Sequence, residues 1–405
     1  RALALRWLSS AFPEPCAPSR AAVPQGESAC PELCQCVRTA QVECSGASIA
    51  TVPSPIPENT MTLQIINTRI TELGAASFGN ASMLIGLRIE KNDLSRISPR
   101  AFQYLPSLRY LSLASNKLQE LPVEVFEPLG QLESLLLSSN QILRVEPSHF
   151  AQLSNLKELQ LHGNNLQELT EGVFDPLTSL TKLNLARNNI DHLPPQAFER
   201  LTRLQVLRLY ENQLRQIPVG TFDGLPELEE LGLHQNQLET LSPELFMHNE
   251  RLQKLYLSNN LITALPSGVF LPLRDLRLRR NKIEALPPEI FRPLWRLQTL
   301  DLSQNAVAEL PPGLFAPLTS LLRMCLCVCV CVHAHSPADS RTSCPAVLHT
   351  RRNLYHCPRW GKRFAVQCCC TILWQMGHVT LPSQRELGQP RKGLVTTPPE
   401  LPHLS

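Results

Sequence analysis

The residues best suited to chemistry are crowded near the two ends of the sequence. Cys325, Cys327, Cys329 and Cys331 alternate with apolar residues in CLCVCVCVHAHS, and His333 and His335 follow. Thiolates and imidazoles are good soft-metal ligands. A strict C-x-C-x-C-x-C run on a strand, however, puts all its sulfurs on one face. Structural zinc needs ligands gathered tetrahedrally, usually from separate hairpins or a helix. The run is also what a TG/CA dinucleotide repeat yields on translation, TGT-GTG giving Cys-Val and CAT-GCA-CAC giving His-Ala-His. We read it as translated non-coding DNA, with no metal or redox site and no packed core.

The second cluster is Cys30, Cys34, Cys36 and Cys44, spaced C-x3-C-x-C-x7-C. Four cysteines allow three pairings. A four-thiolate zinc site fits poorly, because structural zinc ligands usually come as two C-x2-4-C pairs. Of the 14 cysteines, five lie at or before Cys44, nine at or after Cys325 and none between. A disulfide-type cluster argues for an oxidising compartment. His162, His192 and His234 fall in different units of the repeat described below and are expected to face solvent. His162 and His234 stand three units apart, roughly 14 Å at ~4.8 Å per strand, too far to share a metal. Neither G-x-S-x-G nor H-E-x-x-H occurs. The reading is therefore of a chain that is not an enzyme and takes no cofactor or metal.

What must position any binding group is a repeat. An asparagine recurs in L-x-x-L-x-L-x-x-N as Asn92, Asn116, Asn140, Asn164, Asn188, Asn212, Asn236, Asn260, Asn281 and Asn305. The spacing is 24 residues seven times, then 21, then 24, and Thr68 holds the slot before Asn92. In L-x-L both leucines point to one side of a short strand. Stacked in parallel, such strands build one leucine core along the array. The asparagine follows where the chain turns inward, and its amide can bond backbone groups of neighbouring turns. Leu-Pro pairs suit an extended back side, and Phe126, Phe150, Phe174, Phe198 and Phe222 form a second apolar spine there. Proline at a fixed position rules out one long helix. A solenoid of α/β type is expected, with one short parallel strand per unit and an irregular or 3-10 convex side.

Composition agrees. Aromatics make up only 5% of the 405 residues, prolines number 35, and the net charge of +3 gives no cause to expect nucleic acid. No run of 18 or more apolar residues occurs, so no membrane span is expected. The first residues, from Arg1, read as a fragment without a convincing signal-peptide core.

The phrases LRIEKNDLSRISP, LRYLSLASNKLQ and LQVLRLYENQL resemble the extracellular leucine-rich repeat family. The resemblance covers roughly Cys30 to Leu322. It implies an amino-terminal cap with disulfides Cys30–Cys36 and Cys34–Cys44, and a cell-surface or matrix setting. A cap is needed in any case, since the first repeat would otherwise open an apolar end and a strand edge to water. The expected organisation is a disordered segment over 1–29, the cap over 30–60, about 10–11 repeats over 61–324, and over 325–405 a tail outside the family, disordered or a gene-prediction artefact. The family's further repeats, carboxy-terminal cap and membrane span have no counterpart in that tail. The N-x-S sequon at Asn80 is a candidate glycosylation site.

On the sheet's outward face the x positions around L-x-L are free to bind. They change character from the sixth unit onward, to Arg208, Tyr210, His234, Tyr256, Arg277, Arg279 and Arg280. Exposed tyrosine and arginine dominate interface hot spots, and clustered arginine favours acidic or sulfated ligands. The leading expectation is an extracellular protein that binds matrix or cell-surface proteins through this concave face. The alternatives are a non-catalytic stabilising subunit of a secreted peptidase and the ectodomain of a pattern-recognition or signalling receptor. A tail made as written would also leave the last leucine edge uncapped. Its thiols should then mispair in an oxidising compartment and give disulfide-linked aggregates. A clean monomer on a non-reducing gel and by size exclusion would contradict this.

Overall fold

The computed structural model describes residues 30–37, 40–75, 77–79, 81–326 and 370–372. The candidate glycosylation residue Asn80 and the run from Cys327 to His335 lie outside the described residues. Within them the chain coils into a solenoid that contributes one short strand per turn to a 15-stranded sheet. Every neighbouring pair in that sheet is parallel except the pairs at its two ends.

The leucine pattern produces this coil directly. In Val206–Arg208, for instance, Leu207 points inward, and it registers with Leu183 on one side and Leu231 on the other. Both strand leucines of nearly every turn are fully buried. Each contributes roughly 2 kcal/mol relative to exposure. The convex side carries isolated i,i+3 turns, such as Leu129 N–H to Phe126 O and Leu132 N–H to Leu129 O, in place of continuous 3-10 helix. Among the described residues its one helix is a single turn, Pro147–Phe150. Phenylalanines stack behind the sheet at about 6 Å, in the runs Phe78–Phe102–Phe126, Phe150 through Phe246, and Phe291–Phe315.

The asparagine ladder closes the backbone accounting. Asn188 accepts from Leu166 N–H at 3.1 Å and donates to Leu161 O at 3.1 Å and to Leu185 O at 3.0 Å. One side chain thus ties its own turn to the preceding one. The same three bonds recur at Asn116, Asn140, Asn164, Asn212, Asn236, Asn260, Asn281 and Asn305. At the first slot both the N–H and the hydroxyl of Thr68 donate to Asn92 Oδ1, which extends the ladder one unit. The residue preceding each slot is left-handed, from Asn67 (φ 57°) to Gln304 (φ 60°), and among these only Gly163 is a glycine. Every other unit therefore carries roughly 1 kcal/mol or more of backbone strain, which the amide bonds offset.

The 21-residue unit keeps the ladder in step. Asn281 donates to Leu257 O at 3.0 Å and accepts from Ile262 N–H at 3.2 Å. Of the four convex i,i+3 bonds in each flanking unit, only Val269 N–H to Pro266 O is kept. A Leu273 N–H to Leu271 O bond stands in place of the rest.

At the amino end Cys34–Cys36 lies antiparallel to Gln41–Ser45, which pairs with Thr62–Ile66. Disulfides join Cys30 to Cys36 and Cys34 to Cys44, closing the edge of the sheet. At the other end the last parallel strand, Arg323–Leu326, runs two residues into the span expected to be tail. Its edge is not open, as the sequence reading had it. Cys370–Ile372 pairs with it antiparallel, and Met324 beneath is buried.

Two consequences follow for stability. Asn188→Ala should destabilise the array by about 3 kcal/mol, because three buried backbone groups lose their partner. Asn305→Ala, half-buried at the last turn, should cost less. Urea unfolding of both variants checks the difference, and equal small losses would refute it. His149 is buried, with Nδ1 accepting from Glu146 N–H and Nε2 donating to Leu121 O. Burial holds its pKa below the usual 6.5. The unfolded chain therefore takes up the proton first, so stability falls as pH drops below about 6.5 and the loss levels off beneath the folded-state value. His149→Gln should flatten that acid limb; an unchanged pH profile of the melting temperature would count against the assignment.

Candidate binding surface on the concave face

Parallel register sets the geometry of the candidate surface. Arg208, Gly232, Tyr256 and Arg277 are successive Cα partners on adjacent strands. They form one column across the sheet at ~4.8 Å per step. Tyr210, His234 and Arg279 stand two residues on, just past the strand ends, and form a second column on the same face.

The columns touch through their rings. Tyr210 and His234 stack at 4.4 Å with 13° between planes. His234 meets Tyr256 edge-on at 6.3 Å and 76°. The Arg277 guanidinium lies 4.9 Å from the centroid of the Tyr256 ring. A continuous row of three rings and one cation therefore spans four strands, with pairings of the kind that stabilise aromatic clusters. His234 is half-buried within it, and its Nδ1 is enclosed without a hydrogen-bond partner. Burial presses its pKa below the usual histidine value, with Arg277 pushing the same way and Glu211 opposing. His162 is lowered by burial and then by Arg187 and Arg208. Both rings, expected from sequence to face solvent, are half-buried.

Arg187, Arg208 and Arg277 are paired with acids. Arg208 bonds Glu230 Oε1 at 3.2 Å, and Lys254 approaches the other oxygen of the same carboxylate at 3.2 Å. Arg277 forks onto Asp275 with bonds of 3.1 and 3.0 Å, which raises its pKa further. Arg187 bonds both oxygens of Glu211 at 3.1 Å. Arg279 and Arg280 both donate to Gln304 Oε1, at 3.0 and 2.6 Å, so their guanidinium groups reach to the following turn. Five of the seven residues picked out by sequence, Arg208, Tyr210, His234, Tyr256 and Arg277, are thus brought together, and Arg279 and Arg280 are held to the next turn. The neutralising acids were missed. Glu230 and Asp275 each precede a column residue by two, a spacing that places them on the same face, so this signal was present.

An open recess of about 360 Å³ lies over Gly232, bounded by Arg187, Arg208, Tyr210, Glu211, Glu230, His234 and Tyr256. A second, polar recess of about 340 Å³ opens around Glu133, which Arg109 and Lys157 bind, and carries none of the aromatic groups. Among the described residues no group of three or more His, Cys, Asp or Glu is placed to hold a metal ion. No helix there is long and apolar enough to cross a membrane.

Five stretches, 58–118, 130–190, 178–238, 226–277 and 272–326, match the family described as leucine rich repeat. Human leucine-rich repeat-containing protein 15 is 61% identical over 67 residues, 16% of this chain and 12% of that protein. Mouse podocan is 31% identical over 90 residues, 22% of this chain and 15% of that protein. Human reticulon-4 receptor-like 2 is 34% identical over 97 residues, 24% of this chain and 23% of that protein. The matched stretch is thus less than a quarter of each of these relatives. Among solved structures, the Drosophila Toll–Spatzle complex aligns with a TM-score of 0.60 at 27% identity, covering 65% of this chain and 35% of that chain. An internalin of Listeria monocytogenes aligns at 0.57 with 20% identity, covering 70% of this chain and 79% of that chain, a likeness of fold alone. The repeat matches take in more than half of the sequence, and the chain belongs to the leucine-rich repeat family.

Proposed function

We propose that this chain is an extracellular, non-catalytic binding protein that docks a matrix or cell-surface protein on its concave face. The observation that carries the proposal is the row Tyr210–His234–Tyr256–Arg277, which packs on itself across four strands with its rings half-buried and Arg277 exposed. Tyrosine and arginine in such rigid, pre-organised clusters are the groups that dominate protein interfaces. The disulfide-closed cap supports an oxidising setting. Toll, a structural relative, is seen in complex with Spatzle, a mode of use in keeping with this reading.

The ion pairs bear on what the partner is. Arg208, Arg277 and Arg187 each face a carboxylate at hydrogen-bond distance. A sulfated glycan or nucleic acid would have to displace those acids, so a folded protein surface fits better than a polyanion. In the test, the full chain, expressed with an added secretion signal, is applied to a panel of purified matrix proteins and to heparin. Binding to at least one protein is expected. Tyr210→Ala combined with Tyr256→Ala should weaken it by about tenfold or more while circular dichroism stays unchanged. A folded double variant that binds as before, or a panel bound only through heparin, would refute the proposal.

A further inference from the structure

Arg279 and Arg280 differ from the other arginines of the concave face in what they meet. Arg187, Arg208 and Arg277 each bond a carboxylate. Among the described residues neither Arg279 nor Arg280 pairs with an acid, and both turn to one neutral acceptor, Gln304 Oε1, through their Nε–H groups. The acids nearby are engaged elsewhere. Asp275 bonds Arg277 through both oxygens. Asp301 accepts from the N–H and the hydroxyl of Ser303 at 3.0 and 2.6 Å, and its charge adds to the hold on Arg277. Two adjacent cations are thus drawn to an oxygen that carries no charge to offset theirs. Like charges held together repel, so an incoming anion gains from both.

The geometry suits a carboxylate. A guanidinium has five N–H donors, and Gln304 takes only the Nε–H of each, which leaves the Nη groups of both forks to donate. Arg279 is half-buried and Arg280 exposed. In the register of the sheet Arg279 lies between Ser258 and Ser303, both short side chains. Charge-assisted bonds from a guanidinium fork to a carboxylate are among the stronger hydrogen bonds. A long polyanion laid along the face would cross the carboxylates of Glu230, Asp275 and Asp301, whereas one acidic side chain meets only the arginine pair. Arg279 stands two residues beyond Arg277, where the aromatic row ends. We infer that the Arg279–Arg280 pair, held side by side by Gln304, receives an aspartate or glutamate side chain of the protein partner at the edge of the row. The inference rests on the concave face being a protein-binding surface and names a chemical feature its partner must carry.

The test uses the full chain and two capped tripeptides, Gly-Asp-Gly and Gly-Asn-Gly, followed by saturation-transfer difference NMR. The aspartate peptide should give a signal about threefold or more above that of its neutral counterpart. That signal should fade between about 0.05 and 0.5 M salt, because screening weakens an exposed charge contact. Gln304→Glu places a carboxylate between the two arginines, so it should cut the aspartate signal about threefold or more while circular dichroism stays unchanged. Arg279→Gln combined with Arg280→Gln should do the same, and keeps the experiment available should Gln304→Glu misfold. Equal signals from the two peptides, an aspartate signal that survives in both folded variants, or a chain that answers to heparin alone would overturn the inference. Binding of a panel protein that is lost in the Tyr210/Tyr256 double variant but untouched by Gln304→Glu would leave the protein-binding reading in place and remove only this contact.

Discussion

Each turn of the solenoid must bring its backbone inward and leave polar groups beside a leucine core, where no water reaches them. The asparagine amide meets that demand with one acceptor and two donors, spread over two consecutive turns. Without it, buried N–H and C=O groups would go unpaired at every coil, a cost no amount of leucine burial on the neighbouring strand removes. The left-handed residue before each slot belongs to the same constraint. The turn is tight enough that Lys91, Arg187 and Glu211 adopt a conformation that side chains usually avoid. Because the amide bonds are short and directional, each turn is clamped to the one before it. The 21-residue unit shows that the clamp, and not the length of the convex arc, sets the register.

Register in turn makes the binding face possible. Residues 24 apart come to lie side by side, as Arg187 and Glu211 or Lys254 and Glu230 do. A ring row spanning four strands exists only while those strands stay in step. The charge pairing on the face has the same origin. Strand residues two apart share a face, so Asp275 falls beside Arg277, and Glu230 falls between Arg208 and Lys254. What reads along the chain as a rise in arginine becomes, across the sheet, three arginines paired with acids around uncharged rings, with Arg279 and Arg280 bonded to a glutamine beyond them.

The repeat was legible because each structural job recurs in a fixed column, so ten imperfect copies speak for one another. The convex side was less so. Its turns need only apolar anchors at loose spacing, and His149 in place of an ordinary surface residue gives no hint of its two buried bonds. Within the candidate surface, the column of Arg208, Tyr256 and Arg277 could be drawn from spacing alone. The stack of Tyr210 on His234 could not, since it depends on both rings leaning over the space beside Gly232.

The sequence by itself determined the coil, its handful of inward leucines per turn, its asparagine clamp and the face left free to bind, because these depend on local periodicity and on backbone groups that must be paired. Only the tertiary structure decided which charges cancel, which rings meet and where a recess opens. Those outcomes depend on side-chain directions between residues that are neighbours across strands and strangers along the chain.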